Sequence, residues 1–365
     1  MIETKHQTDT PSVFEQMSDM EHEQLVFCND EATGLKAIIA LHNTVLGPGM
    51  GGTRMWNYTS EEEAVKDVLR LSRGMTFKNA IAGLNIGGGK AVIIGDARKL
   101  KNEAFMRRFG RFVDSIGGRY WTAEDVNMGT RDMEYVRMET QYVAGIPVSM
   151  GGSGDPSPVT AFGVYMGMKA SAKKVYGSDS LEGKKVMVQG AGHVGTYLIE
   201  YLNKEGAQVM VSDIFEDKLA AVTKNHQVTV VDPDQVYTTE MDIYAPCALG
   251  ATLNDDTIGK LNCTIVAGGA NNQLDDEVRH GNQLKEQGIL YAPDFLINSG
   301  GITNVYYEMQ GNHNLERVMS QTERIYDVCL EVIEYAEKND VTTHKAALDL
   351  ALKRIEQIGK VKLAY

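Results

Sequence analysis

The chain lacks the features that mark secreted, membrane-spanning and nucleic-acid-binding proteins. Its 365 residues include only four cysteines, far apart and without a C-x-x-C spacing, which favours free thiols in the cytoplasm. No apolar run approaches the roughly 20 residues of a membrane span, and the polar, acidic N-terminus has no signal-peptide core. The formal net charge of -13 argues against nucleic acid or an anionic membrane as a partner.

Histidine and proline are scarce as well. None of the eight histidines falls in an H-E-x-x-H or similar grouping, so we expect no metal site. With eight prolines, 43% hydrophobic and 23% charged residues, the composition is that of an ordinary globular protein. The length exceeds what one core usually supports, so we expect two domains. Glycine is what the chain has in excess, with 37 residues clustered in short segments.

The glycine-rich segment 74–96 contains two lysines, Lys78 and Lys90, that lie among glycine and apolar residues. Three glycines precede Lys90, and the run Ala91–Ile94 after it is typical of a buried strand. Burial disfavours the ammonium form, so the pKa of such a lysine falls toward neutrality and the group can act as an acid or base. A phosphate-binding loop would need a hydroxyl residue next, where this chain has alanine. A lysine that extends to solvent from a strand end remains the alternative.

The pattern of the chain changes around residues 149–158, where Gly, Ser and Pro indicate a linker or hinge. Before it we expect strands at Gln24–Cys28 and Leu35–His42, and a helix that begins with a capping box of Ser60 and Glu63. After it strands and helices alternate, as in a parallel α/β sheet. The expected strands there are Lys185–Gln189, Val209–Ser212, Val228–Val231, Asp242–Ala245, Thr264–Ala267 and Ile289–Ala292.

The sequence GAGHVG at 190–195 follows the first of these strands and opens a helical pattern, which is the context of a dinucleotide-binding loop. Asp213 ends the next strand about 20 residues further on, where a carboxylate binds the ribose hydroxyls. That carboxylate would repel a 2′-phosphate, so we expect NAD rather than NADP. A βαβ unit with purely structural glycines is the alternative. We assign to cofactor binding Gly190 for the tight turn, Gly192 for approach to the pyrophosphate, Gly195 for helix packing, His193, Val194 and Asp213; alone, His193 would be a surface residue at a helix start.

With these motifs the sequence resembles the amino-acid dehydrogenases that act on glutamate, leucine, phenylalanine or valine, and most closely the leucine-specific members. The resemblance covers about residues 25 to 345, through GPGMGGTRMW, GMTFKN, GGGKAVIIGD, TAED, SGDPSPVTAFGV, GAGHVG, AGGANNQL and APDFLINSGGITNV. It implies an α/β fold of two domains with the active-site cleft between them. Residues 1–150 and about 340–365 would form a substrate-binding and oligomerisation domain, and 151–339 a Rossmann-type NAD-binding domain. A homo-oligomer, dimer to octamer, is also implied.

The resemblance implies reversible oxidative deamination of an L-amino acid and assigns the residues that carry it. Lys78 would bind the substrate α-carboxylate, Lys90 would act as general base, and Asp125 would shuttle protons; without the family, Asp125 would as readily be a helix N-cap. Thr160 and Asn271 would hold the nicotinamide carboxamide, although alone they would be a helix-end threonine and a loop asparagine. The substrate-binding positions would be Met50, Gly51, Gly52, Ala123, Ile302 and Val305, together with Lys78.

The substrate expected from these positions is a branched aliphatic amino acid, leucine first and then valine and isoleucine. Glutamate-specific relatives carry a lysine where this chain has Met50, and the other pocket side chains are apolar. A phenylalanine-specific or other member of the family remains open, as does an inactive NAD-responsive binding protein. A third possibility is a different NAD-linked enzyme, such as a folate dehydrogenase. The joint presence of Lys78, Lys90 and Asp125 disfavours the inactive binding protein, and the pairing of TAED with GMTFKN disfavours the folate enzyme.

Overall fold

The structure of the chain, a computed structural model, describes residues 11–362, with side chains up to Val361. It divides into two compact units. Of the described residues, the first takes those up to Asn79, Asn85–Gly151 and those from Val361; the second takes Ala80–Leu84 and Gly152–Lys360. No helix in the described range has both the length and the apolar character to cross a bilayer. Among the same residues no group of three or more His, Cys, Asp or Glu side chains could hold a metal ion.

Up to residue 150 the chain forms one mixed sheet with helices. Its elements are α1 Val13–Asp19, β1 Gln24–Asp30, β2 Leu35–Asn43, β3 Gly49–Met50, β4 Thr53–Trp56, α2 Glu61–Ile81, β5 Gly87–Ile94, α3 Ala97–Leu100, α4 Glu103–Asp114, β6 Tyr120–Trp121, α5 Thr130–Arg137 and a 3₁₀ turn Val148–Met150.

The first sheet has the order β1-β2-β5-β3-β6, with β4 beside β5. Strand β2 is antiparallel to β1 and β5, whereas β3, β4, β5 and β6 pair in parallel. Because side chains alternate along a strand, Ile39 and Leu41 of β2 enter one core with α4 and α5, and Ile38 and Ala40 enter the other with α2. One face of α2 is buried as a whole: Ala64, Val65, Val68, Leu69 and Ser72. Both faces of the sheet are therefore covered.

The glycines before Lys90 belong to β5 itself, earlier than the apolar run alone suggested. A Cβ at Gly87 would lie 2.2 Å from Asn43 O, and one at Gly88 would lie 2.0 Å from Thr76 Oγ1. Glycine therefore lets α2 pack directly on the strand, and Asn79 Nδ2 fastens the contact by donating to Gly87 O at 2.7 Å. Since Lys90 lies inside the strand and is 6% exposed, a lysine reaching solvent from a strand end is the wrong interpretation.

The predicted capping box at the start of α2 forms only in part. Ser60 Oγ accepts from the Glu63 backbone N–H at 3.2 Å, as expected. The Glu63 carboxylate, however, accepts from the backbone N–H and hydroxyl of Thr59, at 2.8 and 2.7 Å. Thr59 offers the Glu63 carboxylate two donors, its backbone N–H and its hydroxyl, whereas the capping box would offer only the backbone N–H of Ser60.

After residue 151 strands and helices alternate as expected. The elements are α6 Ser157–Tyr176, β7 Lys185–Gln189, α7 His193–Glu205, β8 Gln208–Ser212, α8 Glu216–Asn225, β9 Thr229–Val230, β10 Ile243–Pro246, β11 Ile265–Val266, α9 Arg279–Glu286, β12 Leu290–Tyr291, α10 Asp294–Ile297, α11 Gly300–Met309, α12 Leu315–Glu323, α13 Ile325–Asn339 and α14 Thr343–Lys362, with 3₁₀ turns at Pro233–Gln235 and Ile258–Lys260.

The second sheet is wholly parallel, in the order β12-β11-β10-β7-β8-β9. The first strand of the unit, β7, is central, and the chain winds outward from it in both directions. This is the doubly wound order of dinucleotide-binding sheets, in which ligands bind at the carboxyl ends of the strands where the winding reverses. All six expected strands are present within one residue at each end.

The C-terminal helix α14 differs from the expectation. Residues from about 340 were assigned to the first domain, but through Lys360 they belong to the second unit. Thr343 Oγ1 donates to Tyr291 O at 2.5 Å, which ties the helix start to β12. Arg354 Nη1 donates to the carbonyls of Ala80 and Leu84, which are grouped with the same unit. These contacts place the helix in the second unit, which the periodicity of its sequence alone could not indicate.

Candidate active site

The centre of the first unit is framed by β4 and the TAED segment, which run side by side. The backbone N–H of Thr53 donates to Ala123 O at 2.9 Å, and that of Met55 donates to Val126 O at 3.0 Å. These bonds flank Arg54 on β4 and the two residues Glu124 and Asp125 on the segment, and the side chains of Arg54 and Asp125 meet there. Asp125 is thereby set against β5.

The two glycines before β4 are required by this packing. A Cβ at Gly51 would lie 2.0 Å from Gly89 O, and one at Gly52 would lie 2.2 Å from Glu124 O. Tyr120 fixes the same turn by donating its hydroxyl to Gly51 O at 2.7 Å. The glycines therefore permit contacts of backbone with backbone inside the unit, and their contact with substrate stays a prediction.

Lys90 and Asp125 form a largely buried ion pair, with Nζ 2.8 Å from Oδ2. Burial lowers the pKa of Lys90 from its ordinary value, although the Asp125 carboxylate opposes that shift. Burial alone would raise the pKa of Asp125, but the Lys90 ammonium and then the Arg54 guanidinium outweigh it, so this pKa lies below its usual range. The helix N-cap interpretation of Asp125 is wrong, because α5 begins at Thr130 with Gly129 as its N-cap.

Arg54 and Asp67 are part of this centre and were not singled out from the sequence. Arg54 Nε lies 3.3 Å from Asp125 Oδ2, and its Nη1 lies 3.1 Å from Asp67 Oδ2. The Tyr58 hydroxyl donates to the same Asp67 oxygen at 2.7 Å. The sequence feature that could have identified Arg54 is its place between the buried residues Thr53 and Met55, since a charge inside a buried strand needs a partner.

The other predicted substrate residues divide between the units. Lys78 is half-buried in the last turn of α2, and Met50, in β3, is 1% exposed. Ala123 is half-buried in the TAED segment. Ile302 and Val305 lie one turn apart on α11 of the second unit and are 8% and 7% exposed.

The loop 190–195 has the geometry of a dinucleotide-binding turn. Gly190 has a φ of 111°, which favours glycine, and a Cβ there would lie 2.8 Å from Ala248 Cβ. A Cβ at Gly195 would lie 2.0 Å from Gly190 O, so the start of α7 packs tightly on the turn. A Cβ at Gly192 would meet nothing within 4 Å. The backbone at Gly192 is therefore open to a ligand, as the pyrophosphate position requires.

Three further residues predicted to bind the cofactor lie at or beside this loop. Asp213, at the end of β8, accepts from Ala191 N–H at 2.7 Å and from Phe215 N–H at 3.0 Å, which holds its carboxylate beside the loop. The His193 side chain, in the first residue of α7, is 83% exposed, and Val194 follows it, half-buried. An open glycine backbone at a helix start with a fixed carboxylate beside it fits the pyrophosphate and ribose of NAD.

Thr160 and Asn271 both lie in the second unit. Thr160 is in the first turn of α6, and its hydroxyl donates to Pro156 O at 3.0 Å. Asn271 follows β11, and its Oδ1 accepts from Asn298 Nδ2 at 2.8 Å. The buried Gln273 shapes the same loop by donating to the carbonyls of residues 268 and 270. Asn298 was not predicted, because its bond to Asn271 joins residues distant in sequence, and Gln273 was not, because its bonds go to backbone carbonyls of a loop without a regular pattern.

The chain has a doubly wound sheet with an open nucleotide turn, and it also has a buried lysine–carboxylate pair. Together these features are typical of a dehydrogenase that uses NAD. The model of the Glu/Leu/Phe/Val dehydrogenase dimerisation domain matches residues 22–142. That of the Glutamate/Leucine/Phenylalanine/Valine dehydrogenase domain matches residues 151–215 and 214–362. The chain belongs to this family of amino-acid dehydrogenases.

Individual relatives match over nearly the whole chain. The leucine dehydrogenase of Thermoactinomyces intermedius is 53% identical over 353 residues, 97% of this chain and 96% of the relative. The phenylalanine dehydrogenase of Lysinibacillus sphaericus is 46% identical over 360 residues, 97% of this chain and 93% of the relative. The crystal structure of L-tryptophan dehydrogenase from Nostoc punctiforme matches with a TM-score of 0.85 and 45% identity, covering 95% of this chain and 99% of that one.

Proposed function

We propose that this protein catalyses the reversible, NAD-dependent oxidative deamination of a branched-chain L-amino acid to the 2-oxo acid and ammonia. Leucine is the preferred substrate, and valine and isoleucine are also used. The observation that carries the proposal is the buried Lys90–Asp125 pair, in a chain 53% identical to a leucine dehydrogenase. Phenylalanine is the second candidate, because a phenylalanine dehydrogenase is 46% identical over a similar length.

The chemistry of the bound cofactor is to accept a hydride from the substrate Cα. The chain's residues do the rest. Lys78 binds the α-carboxylate, which fixes Cα. Neutral Lys90 first takes a proton from the substrate ammonium and passes it to Asp125, which frees the nitrogen lone pair. As the Cα–H bond breaks, that lone pair forms the imine, and Lys90 then takes a proton from water while the water oxygen bonds to Cα. Asp125 gives its proton to the amino group and takes up the proton held by Lys90. The amino group leaves as ammonia when the C–N bond breaks, while the hydroxyl passes its proton to Lys90 and the C=O bond of the 2-oxo acid forms.

The surroundings of Lys90 favour its neutral, basic form. A buried amine is neutral at a lower pH than an exposed one, because desolvation penalises its ammonium form. The Asp125 carboxylate keeps its charge, since Lys90 and Arg54 hold its pKa low. One group therefore accepts a proton while its neighbour remains able to relay it, which general acid–base catalysis requires.

The residues predicted to surround the substrate side chain are all apolar. Met50, Ala123, Ile302 and Val305 offer no partner for a second substrate carboxylate, and burying an unpaired one costs several kcal/mol. One methylene in such a pocket changes kcat/KM by only about 10–200-fold. This supports leucine as the best substrate, with its smaller homologues accepted and glutamate rejected.

Cofactor choice, assembly and location complete the proposal. The cofactor is NAD, because the Asp213 carboxylate opposes a 2′-phosphate. The first unit serves substrate binding and assembly of a homo-oligomer, which is supported by the description of its family model as a dimerisation domain. A cytoplasmic location is supported by four cysteines that are all free thiols in the described part of the chain.

A panel of L-amino acids tests the proposal. kcat/KM is measured with NAD for leucine, valine, isoleucine, phenylalanine and glutamate, by the absorbance of the reduced nicotinamide. We expect leucine to be highest, valine within about 10–200-fold of it, and glutamate lowest. A preference for glutamate would contradict the pocket assignment, and a preference for phenylalanine would favour the second candidate. No turnover with any amino acid would favour a binding protein.

A further inference from the structure

Arg54 touches the Lys90–Asp125 pair although the predicted chemistry gives it no part. Its Nε lies 3.3 Å from Asp125 Oδ2, the same oxygen that lies 2.8 Å from Lys90 Nζ. Its Nη1 lies 3.1 Å from Asp67 Oδ2, on α2. All four residues belong to the first unit, and the side chains of Arg54 and Asp67 are only 22% and 16% exposed.

Asp67 is itself held by further donors. The Tyr58 hydroxyl donates to Oδ2 at 2.7 Å, and Arg70 Nη2 donates to Oδ1 at 3.1 Å. Arg54 thus uses two different nitrogens of a planar group toward two carboxylates from different elements. A guanidinium bound at two edges cannot rotate freely, so it fixes the direction of the Asp125 oxygen that meets Lys90.

The same arrangement places charges of both signs around the Lys90 amine. Asp125, Arg54 and Asp67 are the charged groups that face it: Arg54 acts to lower the pKa of Lys90, and Asp67 acts to raise it. Two phenols, Tyr58 and Tyr120, also adjoin the centre, and burial raises the pKa of each, so they stay uncharged at neutral pH.

We propose that Arg54, held in place by Asp67, is a positioning residue for the deamination: it orients the Asp125 carboxylate and so fixes where Lys90 can take its proton. The inference rests on the proposed function, since it assigns a residue to that reaction. Arg54 touches neither substrate nor cofactor in this role and acts through Asp125. A displacement of about 1 Å in a catalytic group can cost about 100-fold in rate, which sets the size of the expected effect.

The test compares Arg54→Gln, Arg54→Lys and Asp67→Asn with the parent, using leucine and NAD across pH. We expect Arg54→Gln to lower kcat by about 10- to 100-fold while KM for NAD changes little. The ascending limb of kcat/KM should move to higher pH in Arg54→Gln and to lower pH in Asp67→Asn, because the two residues act oppositely on the Lys90 pKa. Arg54→Lys should recover part of kcat.

Arg70→Gln is the matched control. Arg70 pairs with the same Asp67 carboxylate but is half exposed, so its removal should leave kcat within about twofold. If Arg54→Gln and Asp67→Asn kept the kcat of the parent and the same ascending limb of kcat/KM, the inference would be overturned but the proposed function would not. The inference would also be overturned if the limbs of Arg54→Gln and Asp67→Asn moved in the same direction. Loss of the circular dichroism of the folded protein in all three variants would overturn it as well, because the Arg54–Asp67 pair would then be merely structural. A parent inactive with every amino acid would overturn both this inference and the proposed function.

Discussion

At the scale of single residues, the sequence was most informative where a charge lies in an apolar setting. Lys90 could be selected because glycines and a strand pattern surround it, and the structure buries it against Asp125. Arg54 occupies a similar setting but was missed, because its partner Asp67 lies on a helix and only the three-dimensional packing joins them. Local pattern identifies a buried charge, whereas its partner depends on contacts distant in sequence.

Asp213 should determine the choice of cofactor. In Asp213→Ala, the ratio of kcat/KM with NADP to that with NAD should rise by at least about fivefold, because a like charge near the 2′-phosphate is removed. The measurement is steady-state kinetics with both cofactors at saturating leucine. Asp217→Ala, in the exposed first turn of α8, serves as the control and should leave the ratio unchanged. An unchanged ratio in Asp213→Ala would place cofactor discrimination elsewhere.

At the scale of elements, α2 and β2 enclose two histidines that the sequence did not single out. The His22 ring hydrogen-bonds with the Ser72 hydroxyl at 2.8 Å, and the His42 ring with that of Thr76 at 2.8 Å. The two rings meet edge to face with centroids 4.7 Å apart. Burial lowers the pKa of His22 to about 4 and that of His42 to about 3, so both are neutral when the protein is folded near pH 7.

This histidine pair should make the protein lose stability in mild acid. In the unfolded chain these rings take up protons near pH 6.5, but in the folded chain only near pH 3–4. The unfolded state therefore binds more protons between those values; the stability is fully present above about pH 6.5 and is lost as pH falls toward 4. We expect the melting temperature to fall between pH 7.5 and pH 5, as the free energy of unfolding decreases by about 2 kcal/mol for each histidine.

His42→Asn separates this effect from general acid sensitivity. Asparagine can keep a hydrogen bond to Thr76 but does not take up a proton, so its melting temperature should fall less over the same pH range. His193→Asn removes an 83% exposed ring and should follow the parent. Equal losses in the parent and His42→Asn would show that other groups control the acid sensitivity.

The strands of the second unit were predicted well, while the ends of other elements were not. Its strands are short apolar runs bounded by turn residues, and a parallel sheet covered by helices requires that pattern. The start of β5 was missed because glycine has low strand propensity, and only the approach of Thr76 and Asn43 explains why glycine is needed there. Close backbone approach leaves no periodic signal in the sequence.

At the scale of the whole molecule, the resemblance assigned two domains, and the structure divides the chain near the predicted hinge. The assignment of α14 differed, because a regular amphipathic helix pattern does not tell which core receives it. Its contacts with β12 and with residues 80–84 could be known only from the structure. The proposed function would require both units, since Lys90 lies in one and the loop 190–195 in the other.

The most direct test of the function is a single-turnover experiment with Lys90→Ala. L-leucine is mixed with an excess of enzyme and NAD, and formation of reduced nicotinamide is followed in the parent, in Lys90→Ala and in the control Lys99→Ala, whose side chain is 80% exposed. NADH binding, followed by fluorescence, reports whether the second unit is intact. We predict that Lys90→Ala binds NADH as the parent does but reacts at least about 10²–10⁴-fold more slowly. A rate within about tenfold of the parent would show that Lys90 is not the base.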